Sequence, residues 1–180
     1  MIEVRNLTKK YGNTKVVDNV SLNIEKGKMI SLIGPNGAGK STVLSMITRL
    51  MDMDEGQVII DDVELSKWDN RELSKRISIL KQANDVNLRL TIRELVEFGR
   101  FPHSQGNITE VDNEFIDKAI KYMQLEDIEH RYLDELSGGQ KQRAYIAMVI
   151  AQDTEYIFLD EPLNNLDMKH CVQMIKVIRG

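Results

Sequence analysis

The sequence predicts an α/β core with a helical lobe inserted into it, on three observations. Strand-like segments fill the N-terminal third, helical periodicity takes over between about residues 84 and 151, and the apolar run Tyr156-Ile157-Phe158-Leu159 then returns to a buried strand. Near the start, Val20, Leu22 and Ile24 alternate with Ser21, Asn23 and Glu25, the period of a half-buried strand. Met29-Ile30-Ser31-Leu32-Ile33 is nearly all apolar and reads as a strand covered on both faces. It breaks into a glycine-rich turn, after which Val43, Leu44, Ile47 and Leu50 carry helical spacing from Lys40 onward. Val58-Ile59-Ile60 reads as a hairpin arm turning at Asp61-Asp62, and Ile77–Leu80 as a short strand. In the helical block, Thr91-Ile92-Arg93-Glu94 and Ser137-Gly138-Gly139-Gln140 both have capping-box spacing. Phe115, Ile116, Ala119, Ile120 and Met123 form one apolar stripe between them, and Cys171, Met174, Ile175 and Ile178 line a final helix.

Composition bounds the class. The 180 residues carry 42% hydrophobic and 29% charged side chains, which excludes disordered and fibrous chains. Lys plus Arg is 24 against 28 Asp plus Glu, a net charge of −4, and that balance argues against a nucleic-acid or anionic-membrane binder. Cys171 is the single cysteine, so neither an internal disulfide nor a cysteine-built zinc site is expected. The longest apolar run, Ala144–Ala151, has 8 residues against the roughly 20 a membrane helix needs. Membrane association is therefore expected to go through a partner.

Gly34-Pro35-Asn36-Gly37-Ala38-Gly39-Lys40-Ser41 matches G-x-x-x-x-G-K-[ST] between an expected strand and an expected helix. Glycines there let backbone amides approach phosphate oxygens, and the helix N-terminus adds partial positive charge. Lys40 would reach the β- and γ-phosphates, and the Ser41 hydroxyl is the expected Mg²⁺ ligand. Downstream, the strand Tyr156–Leu159 ends in Asp160-Glu161. A carboxylate at that position suits Mg²⁺ held through water, the role expected of Asp160, while Glu161 is placed to polarise an attacking water as general base.

Leu136-Ser137-Gly138-Gly139-Gln140 is not explained by phosphate-loop chemistry alone. Together with Tyr11, Gly34 to Thr42, Gln82, Asp160-Glu161 and Leu163-Asn164-Asn165-Leu166-Asp167, it makes the sequence closely resemble the ATP-binding cassette (ABC) ATPases from about residue 2 to the end. Separations of 42 residues from Lys40 to Gln82, 55 to Ser137 and 23 to Asp160 fit the family's order. The resemblance implies a P-loop NTPase core, with a parallel sheet and an N-terminal antiparallel β-subdomain, in residues 1–83 and 152–180. It assigns residues 84–151 to an inserted α-helical subdomain carrying the signature motif. ATP and Mg²⁺ are the implied cofactors. Tyr11 would stack on adenine, and Gln82 would contact Mg²⁺ and the attacking water while linking core to lobe. Ser137, Gly138, Gly139 and Gln140 would bind the γ-phosphate held by a second subunit, with Asp167 crossing the same interface. Lys40, Gln82 and Glu161 are then the catalytic set, and Ser41, Gln82 and Asp160 the metal set.

The same resemblance implies a head-to-tail homodimer, an integral membrane permease, an indirect solute-binding protein, and a peripheral place on the cytoplasmic face of the cell membrane. Within Arg93–His103, the pattern V-x-x-G-R-x-P (Val96, Gly99, Arg100, Pro102) is similar to that of importer ATPases for ferric siderophores, haem and cobalamin. In the family this region receives a permease coupling helix. The plainer reading of the segment makes Phe98 and Phe101 core residues of the lobe. The family continues to a switch histidine whose place His103, His130 and His170 do not take, so the sequence reads as a chain that stops short of it. Weakened hydrolysis is the expected consequence. The alternatives are a nucleotide-binding fragment without hydrolysis, an ABC ATPase importing another small solute, and a soluble ABC protein of translation or repair.

Overall fold

The computed structural model describes residues 1–81 and 89–161. Gln82, the stretch from Leu163 to Asp167, His170 and the expected final helix lie outside the described residues. The chain divides into two compact units, Met1–Leu73 and Ser74–Gly180.

The first unit is built on an antiparallel sheet. β1 (Ile2–Tyr11) lies between β2 (Thr14–Ile24) and β3 (Glu55–Ile60), and β4 (Val63–Glu64) adds the far edge. Ile2, Val4 and Leu7 of β1 and Val58 and Ile60 of β3 are buried, as a sheet with one covered face requires. β1 is irregular between Val4 and Leu7, where Asn6 takes a φ of 54°. Gly56 on the neighbouring strand has a φ of 105°, and a Cβ there would sit 2.6 Å from the Asn6 carbonyl oxygen, so the bulge demands glycine. The β3–β4 turn falls on Asp61 and Asp62, both at positive φ (48° and 67°), the primed two-residue geometry that suits the twist of a hairpin. α1 (Lys40–Ile47) lies against β1 and β2 and buries Val43, Met46 and Ile47. It ends earlier than the spacing through Leu50 suggested, and Leu50 is exposed.

One expectation is overturned. Met29–Ile33 forms no strand, and Met29, Ile30, Leu32 and Ile33 are all exposed, Ile33 at 95%. An apolar run encodes a preference for burial but not the identity of its pairing partners. A parallel strand is held only by ladders to its neighbours, and among the described residues no ladder reaches this run.

α2 (Asn70–Arg76) spans the boundary between the units. In the second unit, β5 (Ile77–Leu80) and β6 (Tyr156–Leu159) pair in parallel, Ile77 opposite Tyr156 and Leu80 opposite Leu159. Between them in sequence run α3 (Ile92–Gly99), α4 (Phe101–Ser104), α5 (Glu110–Tyr122) and α6 (Gly138–Ala151). α3, α5 and α6 pack against one another, and α6 also touches β5. Their shared core holds Leu95, Val96, Ile116, Ala119, Ile120, Met123, Ala144 and Ala147, so the stripe read from the sequence is the buried face of α5, with Phe115 half-buried at its margin. Both capping boxes form. Thr91 Oγ1 accepts from Glu94 N while the Glu94 carboxylate accepts from Thr91 N, and Ser137 and Gln140 do the same. Among the described residues no helix is long and apolar enough to cross a membrane.

Candidate functional site

The glycine-rich turn of the first unit is exposed from Gly34 to Ala38 and then plunges into the fold at Gly39. Gly39 caps α1 in the left-handed region (φ 83°), and a Cβ on it would lie 2.7 Å from the Val16 carbonyl oxygen and 3.2 Å from a Val17 methyl. Gly37 is also left-handed, at φ 81°. These two positions need glycine for conformation, and Gly39 for space as well. Ala38 N donates to Pro35 O at 3.2 Å, which closes the turn around Asn36 and Gly37. Lys40 sends its Nζ back over the loop, donating to Gly34 O at 2.8 Å and Pro35 O at 2.9 Å. The ammonium is thus gathered onto the loop rather than released to solvent.

This loop fits an anionic phosphate chain. The first turn of α1 contains no acidic residue, and its amides have no acceptor inside the helix. The flanking Ser41 hydroxyl and Thr42 lie at the same end. The Ser41 hydroxyl at this end of the loop is an oxygen donor, the ligand type a hard cation takes. Among the described residues there is no cluster of three His, Cys, Asp or Glu side chains.

Tyr11 ends β1 beside the tight turn to β2 and is 52% exposed, so its ring is available to a flat ligand. Its hydroxyl donates to Met51 Sδ at 3.3 Å, which ties the ring to the segment after α1. In the second unit, Asp160 N donates to Leu80 O at 2.9 Å, continuing the β5–β6 ladder by one bond. That bond fixes where the strand releases its two acids. Asp160 and Glu161 are half-buried, and Glu161 adopts a left-handed φ of 50°, which turns the chain sharply.

At the start of α6, Ser137 Oγ accepts from Gln140 N at 3.3 Å and Gln140 Oε1 accepts from Ser137 N at 3.0 Å. The Ser137 hydroxyl keeps its proton for another acceptor. The amides of Gly138 and Gly139 have no acceptor inside the helix, and no acidic residue stands in the first turn. This end of α6 is a second place suited to an anion.

The segment from Val96 to Pro102 resolves into structural and exposed parts. Val96 is fully buried, and Gly99 lies so close to α6 that a Cβ would run into the Met148 carbonyl. Arg100 is 4% exposed, and Pro102 occupies the first turn of α4. Phe98 and Phe101 face outward at 50% and 58% exposure, so they are not core residues of the lobe. Sequence reasoning missed what Arg100 meets. Its Nε donates to Asp112 Oδ1 at 2.9 Å, one Nη donates to Ala151 O at 2.9 Å, and its guanidinium lies 4.3 Å from the Phe115 ring centroid. Asp112 also caps α5 by accepting from the Thr109 amide and hydroxyl. The spacing Thr109-Glu110-Val111-Asp112 was the available signal, with Asp standing where a capping box has Glu or Gln.

Residues 17–164 match the ABC transporter family. The chain is 60% identical to the petrobactin import ATP-binding protein YclP of Bacillus subtilis (strain 168), over 99% of its own length and 71% of that protein's. It is 51% identical to the petrobactin import ATP-binding protein FatE of Bacillus anthracis, over 99% and 72%. Its fold superimposes on a dimeric bacterial ABC transporter cassette, MJ0796, with a TM-score of 0.87 at 33% identity, covering 99% of this chain and 81% of that one. The same cassette is also known in a post-hydrolysis dimer bound to ADP and Pi, with a TM-score of 0.86, 33% identity and the same coverage of each chain. A glycine loop shaped for phosphate, a strand ending in two acids, a glycine-rich capped helix and these likenesses converge: the chain belongs to the ABC transporter family, as one of its ATP-binding ATPase cassettes.

Proposed function

We propose that the chain is the ATP-hydrolysing subunit of an importer for iron–siderophore complexes, and that it acts as a pair of copies on a membrane permease. The observation that carries the cargo is its 60% identity with a petrobactin import ATP-binding protein across 99% of the chain. Other relatives point the same way, including the iron(3+)-hydroxamate import protein FhuC of Bacillus subtilis (strain 168), at 37% identity.

The residues divide the work by chemistry. Gly34, Pro35, Asn36, Gly37, Ala38 and Gly39 offer main-chain amides, Lys40 offers a mobile cation, and Ser41 and Thr42 offer hydroxyls. Mg·ATP supplies the transferable phosphoryl group and a counter-ion for its charge. Lys40 releases Gly34 O and Pro35 O to reach phosphate, Ser41 and Asp160 serve as metal ligands with Gln82, and Glu161 takes the proton of an attacking water. Tyr11 stacks on the base. Ser137, Gly138, Gly139 and Gln140 donate to the terminal phosphate held by a second copy, so each chain completes the other's site. Residues 1–83 and 152–180 form the ATPase core in this reading and 84–151 the helical lobe. Phe98 and Phe101, apolar and turned outward, meet the permease. The cytoplasmic face of the membrane is the place where such a subunit meets ATP, and a solute-binding protein delivers cargo on the other side.

Uptake of radiolabelled ferric petrobactin by cells carrying only a Lys40→Ala subunit tests the proposal. We expect uptake to fall to the level of a strain lacking the subunit. Undiminished uptake in that null strain would overturn the assignment of cargo.

A further inference from the structure

Two stretches of the second unit are laced together ahead of the signature turn. One is Arg89–Arg93, which leads into α3, and the other is Glu129–Leu133, which leads toward α6. Ile92 N donates to Arg131 O at 3.1 Å, Arg93 N to Glu129 O at 2.9 Å and Leu133 N to Leu90 O at 2.8 Å. Thr91 and Tyr132 form an antiparallel bridge at the centre of this contact. Over it, the exposed Arg89 guanidinium lies 4.2 Å from the centroid of the half-buried Tyr132 ring.

From Tyr132 to the signature the chain has no slack. Tyr132 N donates to the Glu135 carboxylate at 3.3 Å. Glu135 N returns to Tyr132 O at 3.0 Å, and Leu136 N bonds to Leu133 O at 3.4 Å. Leu133 is buried in the core shared by α3, α5 and α6. Ser137 then opens its capping box at once. The amides of Gly138 and Gly139 follow Tyr132 by six and seven residues, across this hydrogen-bonded turn and the Ser137 cap.

We propose that Tyr132, clasped under Arg89, is the positioning residue for the signature turn: it sets where Ser137, Gly138 and Gly139 present their donors to a nucleotide on the partner copy. This rests on the reading of that turn as an anion site. A donor array of this kind must be held to about 0.5 Å to be productive, and a handful of backbone bonds open to water on one side would not hold it alone. The ring and guanidinium clamp the bridge from the solvent side. Acting through the turn and not on the nucleotide, either group's loss should move turnover and leave the chain's own nucleotide affinity in place.

The experiment compares Tyr132→Ala, Tyr132→Phe, Arg89→Ala and Ser137→Ala in the intact transporter, reading kcat and KM for ATP, together with ATP affinity of each subunit alone. We expect kcat to fall at least about tenfold for Tyr132→Ala and for Arg89→Ala, part of the roughly hundredfold that a 1 Å misplacement can cost, with ATP affinity within about twofold of wild type. Tyr132→Phe keeps the ring and should restore turnover. If Ser137→Ala lowers kcat but both Tyr132→Ala and Arg89→Ala leave it unchanged, the positioning role is wrong while the anion site stands. If Ser137→Ala itself leaves kcat unchanged, the reading of the turn fails and the proposal goes with it. Equal losses for the Phe and Ala variants would also overturn it. Should Tyr132→Ala fail to fold, the exposed Arg89→Ala variant decides the matter.

Discussion

The Arg100 guanidinium and the Asp112 carboxylate form an ion pair at 2.9 Å with both side chains about 95% buried, and the pair pins three helices together. Arg100 follows α3, Asp112 lies in the first turn of α5, and the Ala151 carbonyl at the end of α6 takes a second Arg100 bond. Removing one partner of such a pair leaves the other charge buried and uncompensated. We expect Asp112→Asn to cost about 3–5 kcal/mol of stability in urea denaturation, well beyond a typical surface change. A loss below 1 kcal/mol would mean that water reaches the pair.

That pair also gives the fold a signature in acid. Burial pushes the Asp112 carboxyl up, but the Thr109 hydroxyl and amide and the Arg100 guanidinium outweigh it and hold it below the usual carboxylate range. A carboxyl with a lowered folded value stabilises the fold above its unfolded value, about pH 3.9, and that contribution is lost as pH falls through the folded value. The stability difference between wild type and Asp112→Asn should stay level from neutral pH to about pH 5 and shrink below about pH 4. Urea melts at a series of pH values read this directly.

Gly99 has no room for even one carbon, because the Met148 carbonyl fills the place its Cβ would take. Gly99→Ala must push α3 away from α6, and overpacking of this kind costs about 1–3 kcal/mol. Because α6 begins at the signature turn, the variant should lose transport turnover as well as stability. A thermal melt and an ATPase assay on the same preparation check both.

Tyr11 offers a base-specific test. Tyr11→Ala should weaken ATP binding about tenfold, the lower range for loss of a base–aromatic stack, while leaving inorganic tripolyphosphate binding unchanged. Tyr11→Phe keeps the ring and loses only the bond to Met51 Sδ, so its ATP affinity should stay near wild type. Competition between ATP and tripolyphosphate separates stacking from a general loss of structure.

Phe98 and Phe101 carry exposed apolar area that the subunit alone does not use. Replacing both by Ser should leave the melting temperature of the subunit unchanged and abolish its co-purification with the permease. Retained co-purification would place the docking surface elsewhere.

Local rules were easy to read in this chain and long-range partners were not. The capping boxes at Thr91 and Ser137, the hairpin turn at Asp61-Asp62 and the glycine loop each depend on a few neighbouring residues, and all appear in the structure. Met29–Ile33 shows the opposite case: its apolar pattern is unambiguous, yet pairing depends on strands far away in sequence, and the run lies outside every ladder among the described residues. The V-x-x-G-R-x-P pattern was legible as a motif but not as physics. Gly99 is explained by a carbonyl 49 residues on and Arg100 by a carboxylate 12 residues on, neither of which periodicity can reveal. Among the expected site residues, Gly34–Thr42, Tyr11, Ser137–Gln140, Asp160 and Glu161 are described in the structure, and Gln82 lies outside it.

We propose the turn from Gly34 to Lys40 as the grip on a nucleotide's phosphates. Calorimetric titration of Mg·ATP into the wild-type chain and into Lys40→Ala is the most direct measurement of it. We expect the lysine variant to bind at least about tenfold more weakly, as loss of a charge-assisted contact worth about 1.5–3 kcal/mol requires, with an unchanged far-ultraviolet spectrum. Equal affinities for the two chains would contradict it.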